Sequence, residues 1–446
     1  MEDIKKFKNV YFIGIGGIGL SAVARMLFLA GKKVSGSDGS KSDVTDELQK
    51  LGIKVIIGHD EKNVPKDADL VIYTTAISQT NPELEKAKSL GIKILSYPES
   101  LALISKDKFT IAVSGAHGKT TTTAMIGTML MDARLDPTII VGSFMKVKGS
   151  TFKGPQGCTL EYDGSNFIGG KSKYFVVEAC EYRRSFLNIN PKIAVITNID
   201  DDHLDYYKDI KDIQSAFKEF VSKVPKDGFV VCNTEAKYIK EVVKDLNCTV
   251  INYGKIDVGD LKLKIPGKHN LENVKAVIAV GMILGLKKEE ILKSLSGFPG
   301  TWRRSEYKGV TENGTLVYDD YGHHPTEIKA TLEAFRDIFP ENKITVVFQP
   351  HLYSRTKLLL KKFPGAFKSA DKVILAPIYA AREMNDESIS SDILSKEISK
   401  KGIKSESLSS FEEIEKDLLK NLKRGEILIT MGAGDVNKIG ESIIKK

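Results

Sequence analysis

The chain is poor in cysteine, with four in 446 residues (Cys158, Cys180, Cys232 and Cys248). None falls in C-x-x-C spacing, so neither a zinc framework nor a disulfide-stapled fold is expected. No apolar run approaches the roughly 18–20 residues of a membrane helix, so membrane insertion is not expected. The opening MEDIKKFKNVYFIGIGG enters a strand pattern almost at once and leaves no room for a signal peptide, which predicts a cytoplasmic protein. Concentrated positive charge is missing too. The formal net charge is +8, but the lysines alternate with acids in KDIKDIQSAFKEF and KKEEILKS, as on solvated helix faces. Nucleic acid is therefore not an expected partner, and the surplus suits a small anionic substrate.

What the chain does have is repeated strand–turn–helix alternation. KNVYFI, GIGGIG and LSAVARMLFLAGKKV read as strand, glycine turn and helix; VSGSD, DLVIYTTAI and KILS continue as strands of an open, mostly parallel sheet. A second cycle starts at FTIAVSG and a third near residue 300, through TLVYDDYG, KITVVFQP, KVILAP and EILITMGAG. The length supports two to four domains, and polar joints at SKDK and GFPGTWRR predict three: 1–107, 108–298 and 299–446. Residues 267–296 read as helical, and the glycine-rich stretch VKGSTFKGPQGCTLEYDGSNFIGGKS as loops and short antiparallel pieces.

The segment IAVSGAHGKTTTTAMIG places a glycine turn between an apolar strand and a helix, where backbone N–H groups and the helix dipole favour an anion. Its spacing is shorter than G-x-x-x-x-G-K-[ST], with glycine at Gly115 and valine at Val113. Lys119 would reach β- and γ-phosphates, and Thr120 or Thr121 would ligate Mg²⁺. GIGGIG satisfies G-x-G-x-x-G, and Asp38 follows Gly19 by the interval of a ribose-binding acid, which alone would read as a dehydrogenase. Glu178, Glu181 and His203, with Asp200, Asp201 and Asp202 beside it, lie at strand ends where a hard cation finds oxygen ligands. Arg303 and Arg304 could fork onto phosphate, and Tyr321, His323, His324, His351 and Arg355 sit at strand ends of the third cycle.

Taken with FVVEACEYRRSFL, ITNIDDDHLDYY, GKHNLENVKA, WRR, DDYGHHPTEI, FQPHLYSR and MGAGDV, these motifs resemble the Mur ligases in order along nearly the whole chain. The resemblance implies Rossmann-like N- and C-terminal domains flanking a P-loop ATPase-type central domain, and makes the short loop a family form. It implies ATP with Mg²⁺ or Mn²⁺, UDP-N-acetylmuramate and L-alanine as substrates, and a monomer or homodimer. Gly115, Ala116, His117, Gly118, Lys119, Thr120 and Thr121 would hold the phosphates, with Thr120, Glu178 and His203 on metal. His269, Asn270 and Asn273 would recognise adenine, Asp320 would lie near the nucleotide, and Arg303 would contact phosphate. Tyr321, His323, His351 and Arg355 would line the amino-acid and lactyl end. Gly16, Gly17, Ile18, Gly19, Ser37, Asp38 and Thr75 would bind the UDP part.

Two positions depart from the family pattern. Leu352 stands where many members carry arginine, and EACE replaces EADE, putting Cys180 in place of an aspartate. The implied reaction is phosphorylation of a carboxylate followed by attack of an amine. Two other readings share the motifs: a ligase that attaches recycled tripeptide to the same sugar nucleotide, and a nucleotide-binding regulator without catalysis.

Overall fold

The computed structural model describes residues 4–145, 151–153, 159–161, 164–204, 206–381 and 383–445. Its strands form three main sheets. The first holds β1 (Asn9–Ile13), β2 (Lys33–Asp38), β3 (Lys54–Ile57), β4 (Leu70–Tyr73) and β5 (Lys93–Ser96), all parallel, in the order β3-β2-β1-β4-β5. Val10 to Ile13 are fully buried, as expected of a central parallel strand covered on both faces.

The second sheet contains β6 (Phe109–Ser114), β7 (Thr138–Met145), β10 (Ser165–Ile168), β11 (Tyr174–Glu178), β12 (Ile193–Ile196), β13 (Phe229–Cys232) and β14 (Thr249–Asn252), in the order β10-β7-β11-β6-β12-β13-β14. Only β10 against β7 is antiparallel. Between them in the chain, β8 (Thr151–Lys153) and β9 (Thr159–Glu161) make a small antiparallel pair, in keeping with the pieces expected there. The rest of that glycine-rich stretch, with Cys158, lies largely outside the described residues. Helix Ile210–Ser222 shows how the pattern drives packing: Ile213, Ala216, Phe217, Phe220 and Val221 recur at three- and four-residue steps and are all buried.

The third sheet joins β15 (Glu306–Val310), β16 (Leu316–Asp320), β17 (Ile344–Phe348), β18 (Lys372–Leu375), β19 (Lys404–Ser407) and β20 (Ile427–Met431), in the order β15-β16-β20-β17-β18-β19. Only β15 runs antiparallel. The helical reading of 267–296 is corrected to two helices, Lys268–Ile283 and Lys288–Ser296. Gly285 at φ 82° ends the first, because a left-handed residue cannot continue it.

By internal contacts the chain divides into two compact units. One comprises Met1–Asp200, Ile210–Gly259 and Val274–Leu295; the other Asp201–Asp209, Asp260–Asn273 and Ser296–Lys446. The first carries two of the main sheets and the second carries the third. Within the first unit, the Asn166 amide of β10 donates to Ile18 O (2.5 Å) and Ser21 Oγ (2.8 Å), tying the second sheet to the helix Ile18–Leu29. Among the described residues no helix is long and apolar enough to cross a membrane.

Candidate active site

In the first unit, β6 lies between β11 and β12, so the turn after Ser114 opens between two neighbouring strand ends. Gly115 has φ 136°, and a Cβ there would stand 2.1 Å from Thr197 Oγ1. Only glycine fits this position. Gly118, at φ 81°, caps the helix Lys119–Asp132. The turn is held from β12's exit: Asn198 Oδ1 accepts from His117 N (2.9 Å), and the Asn198 amide and Thr197 hydroxyl both donate to His117 O. His117 Nε2 lies 3.0 Å from an Asp200 carboxylate oxygen.

Lys119 Nζ donates to Gly115 O (2.5 Å), Ala116 O (3.1 Å) and the buried Glu181 carboxylate (3.0 Å). Thr120 Oγ1 donates to Glu178 Oε1 at 3.1 Å, and Gly142 N donates to Glu178 Oε2 at 2.8 Å. The turn therefore gathers a lysine, two carboxylates and a hydroxyl at the start of a helix. Such a set fits a phosphate chain with a hard divalent cation, which takes oxygen ligands from hydroxyl, carboxylate and substrate. Thr121 is buried on the same first helical turn.

The glycine turn of the first sheet is built around Asp38, whose carboxylate accepts from Gly16 N (2.8 Å) and Ser40 N (3.3 Å). Gly17 precedes the helix that starts at Ile18, and Gly19 packs so tightly on Tyr97 that a Cβ would be 2.6 Å from its ring. Ser37 is fully buried, and its hydroxyl donates to Glu83 at 2.5 Å. Glu83, missed from sequence, also receives Tyr11 OH (3.0 Å) and Asn63 Nδ2 (2.7 Å), and lies 2.9 Å from His59 Nδ1. Burial pushes the Tyr11 phenol well above its ordinary range. The NPE helix start, Asn81-Pro82-Glu83, was the available signal.

In the second unit, Arg303 is 3% exposed. Its Nε donates to Asp319 Oδ2, its Nη1 to Gly434 O and its Nη2 to Gly432 O, each at 2.7 Å. The phosphate contact expected of Arg303 thus meets a guanidinium already fixed from three sides between β16 and the exit of β20. Arg304 is the more open of the pair, with a side chain 28% exposed, 3.8 Å from Glu327 and over the Tyr321 ring. Asp320 is also enclosed: it accepts from Ser305 N (2.7 Å) and Gly322 N (2.8 Å). Burial raises the Asp319 carboxyl to about 6 against the pull of Arg303, and raises Asp320 as well.

Tyr321, His323, His351 and Tyr379 form a chain of rings with centroids 5.6–5.7 Å apart. His323 Nδ1 lies 3.1 Å from Tyr321 O, and burial lowers the imidazole to about 4. Its neutral ring therefore carries hydrogen on Nδ1. Arg355 lies 3.0 Å from His351 Nδ1 and donates to Asp202 Oδ1 at 3.3 Å. Asp202 also accepts from the backbone N of His203, which sits at φ 56°. A cavity of about 240 Å³ opens among Asp201, Asp202, His203, Leu204, Leu352, Ser354, Arg355, Leu358 and Leu359. Leu352 at φ 69° is buried against this wall.

His269, Asn270 and Asn273 cluster at the start of Lys268–Ile283: Asn270 Nδ2 donates to Pro266 O, and Asn273 Nδ2 to Asn270 Oδ1 at 3.1 Å. The second unit thus holds His203, His269, Asn270, Asn273, Arg303, Asp320, Tyr321, His323, His351 and Arg355, while Gly115 to Thr121, Glu178 and the glycine-turn residues, with Ser37, Asp38 and Thr75, are in the first.

Three family profiles match in chain order: "Mur ligase family, catalytic domain" over residues 9–109, "Mur ligase middle domain" over 113–261 and "Mur ligase, glutamate ligase domain" over 303–434. The UDP-N-acetylmuramate–L-alanine ligase of Clostridium tetani is 44% identical over 472 residues, covering 100% of this chain and 99% of its own. That of Clostridium kluyveri is 44% identical over 467 residues, with 98% of each chain covered. Among solved structures, the UDP-N-acetylmuramate–alanine ligase of Thermotoga maritima superposes with TM-score 0.79 at 28% identity over 98% of both chains. A murein peptide ligase from Psychrobacter arcticus gives TM-score 0.73 at 21% identity, again over 98% of both, and shares the fold.

Proposed function

The chain belongs to the Mur ligase family, and from that premise we propose that it joins L-alanine to the lactyl carboxylate of UDP-N-acetylmuramate at the expense of ATP, releasing ADP and phosphate. The observation that carries the ATP-dependent part is the glycine-only turn at Gly115 with Lys119 and the Thr120–Glu178 pair at one helix start. The choice of amino acid and sugar rests on the two clostridial ligases that match end to end. The three-domain division at 1–107, 108–298 and 299–446 is part of the same proposal.

In this reading Gly115–Thr121 would bind the triphosphate, Thr120 with Glu178 would hold one Mg²⁺ or Mn²⁺, and His203 would serve a second metal. The metal supplies charge neutralisation at the phosphates. Lys119 exchanges its loop carbonyls and Glu181 for the transferring phosphoryl oxygens, where its charge counts most in the transition state. The lactyl carboxylate becomes an acyl phosphate, which gives the carbonyl a good leaving group. His269, Asn270 and Asn273 read adenine. Arg355 and Tyr321 position alanine, the Nε2 of neutral His323 accepts a hydrogen bond from its amine, and His351, whose Nδ1 accepts from Arg355, lines the same end. Arg303 positions Asp319 and the Gly432–Gly434 loop, while Arg304 takes the phosphate contact first assigned to its neighbour.

The test is phosphate release from ATP and Mg²⁺ by the purified full chain. Release should require UDP-N-acetylmuramate and L-alanine together. Release with tripeptide in place of alanine would establish the recycling ligase instead, and turnover of NAD with a hydroxy acid would overturn both.

A further inference from the structure

The segment after β11 contains two consecutive non-glycine residues in the left-handed region, Arg183 (φ 50°, ψ 31°) and Arg184 (φ 55°, ψ 25°). L-residues avoid this conformation, and a pair persists only where the surroundings over-determine it. The surroundings here do so. Arg184 N donates to Glu181 O and Phe186 N to Cys180 O, both at 2.9 Å. The Arg184 guanidinium pairs with Asp212 (2.7 Å) and Glu219 (3.4 Å), and Phe186 is fully buried against Phe217 and Phe220.

The double left-handed turn sends the two arginines in different directions. Arg184 faces the protein and Arg183 faces solvent, over the Tyr182 ring, with Nη1 3.4 Å from Thr75 O. Thr75 follows β4 at the carboxyl end of the first sheet. Its neighbour Thr74 is packed on the glycine turn: a Cβ on Gly14 would be 2.3 Å from Thr74 Cγ2. A guanidinium of the second sheet thus stands beside the glycine turn of the first, within one compact unit.

We propose that Arg183 binds the diphosphate of the sugar nucleotide, as a substrate-positioning cation supplied by the central sheet. The proposal rests on the UDP-sugar reading given above. A guanidinium has five N–H donors in a planar fork, and Thr75 takes one, so the same side chain can bridge that loop and phosphate oxygens. A lactyl carboxylate offers similar chemistry, but Thr75 and Gly14 place the cation at the diphosphate end.

The experiment is calorimetric titration of UDP, UDP-N-acetylmuramate and a nonhydrolysable ATP analogue into the full chain. Arg183→Asn is the first variant, because asparagine accepts a left-handed backbone. It should weaken UDP and UDP-N-acetylmuramate alike, by about tenfold or more, as for a lost charge-assisted hydrogen bond. Arg183→Lys should fall between, and the ATP analogue should bind as in the wild type. Unchanged binding of both uridine ligands overturns the proposal, as does weakening confined to UDP-N-acetylmuramate, which would put the cation on the carboxylate. If Arg183→Asn also loses the ATP analogue, Arg183→Gly removes guanidinium and backbone strain together and faces the same two outcomes. Wild-type protein that binds neither uridine ligand would instead sink the substrate reading itself.

Discussion

Replacing Arg303 by alanine removes three hydrogen bonds of 2.7 Å and leaves the Asp319 carboxylate, itself fully buried, facing an emptied site. Breaking a buried ion pair by deleting one partner costs about 3–5 kcal/mol, since the other charge remains desolvated. The variant has one way to reduce that cost, which is to protonate Asp319. Burial already holds this carboxyl near 6 with Arg303 lowering it, so without the guanidinium it lies higher still. A folded acid whose pKa exceeds its unfolded value binds more protons when native, so its contribution to stability is full below the unfolded pKa and is lost as pH rises through the folded one. In the wild type that loss falls between about pH 4 and 6. In Arg303→Ala it extends through neutrality, with a slope approaching about 1.4 kcal/mol per pH unit.

The chain's one tryptophan, Trp302, adjoins Arg303 in the second unit, so its fluorescence in a urea titration reports the relevant transition. The expected result is a loss of about 4 kcal/mol at pH 7, larger at pH 8 than at pH 6, with the pH dependence abolished by adding Asp319→Asn. A loss below about 1 kcal/mol, or one equal at both pH values, would refute the structural role. Reduced turnover with unchanged unfolding would return Arg303 to the phosphate.

Gly115→Ala should destabilise the turn and abolish binding of an ATP analogue, because its Cβ meets Thr197 Oγ1 at 2.1 Å and its φ is 136°; calorimetry that finds wild-type affinity would contradict this. Lys119→Ala should lower kcat by roughly 10²–10³-fold with a smaller change in KM, as for a contact strengthened in the transition state, and steady-state kinetics separate the two. His323, lowered to about 4 chiefly by burial, is neutral across pH 5–8. Its contribution to stability therefore grows as pH rises from about 4 to 6.5, and any acid limb it gives to the rate should lie below pH 5. A limb near 6.5 that disappears in His323→Asn would show that the ring is protonated in the usual range.

Strand ends and glycine turns were legible because local rules produce them. β2 ends at Asp38, β11 ends at Glu178 where its apolar run stops, and Gly115 and Gly118 have positive φ where the loop spacing required it. Side-chain direction was not legible in the same way. Arg303 and Arg304 are adjacent and chemically alike, yet one is fixed inside by Asp319, Gly432 and Gly434, partners 16 to 131 residues away, while the other stays near the surface. Ser37 reads as a ligand-facing hydroxyl until Glu83, 46 residues on, is seen to accept from it.

The amino-acid sequence by itself determined the α/β alternation, the two glycine turns and the acids at strand ends, since these follow from periodicity, φ > 0 and charge within a few residues. Only the tertiary structure decided that Glu83 gathers four side chains, that Lys119 is held by Glu181, and that Arg183 and Arg184 part at a left-handed turn. Those outcomes depend on contacts between distant segments, which no local pattern encodes.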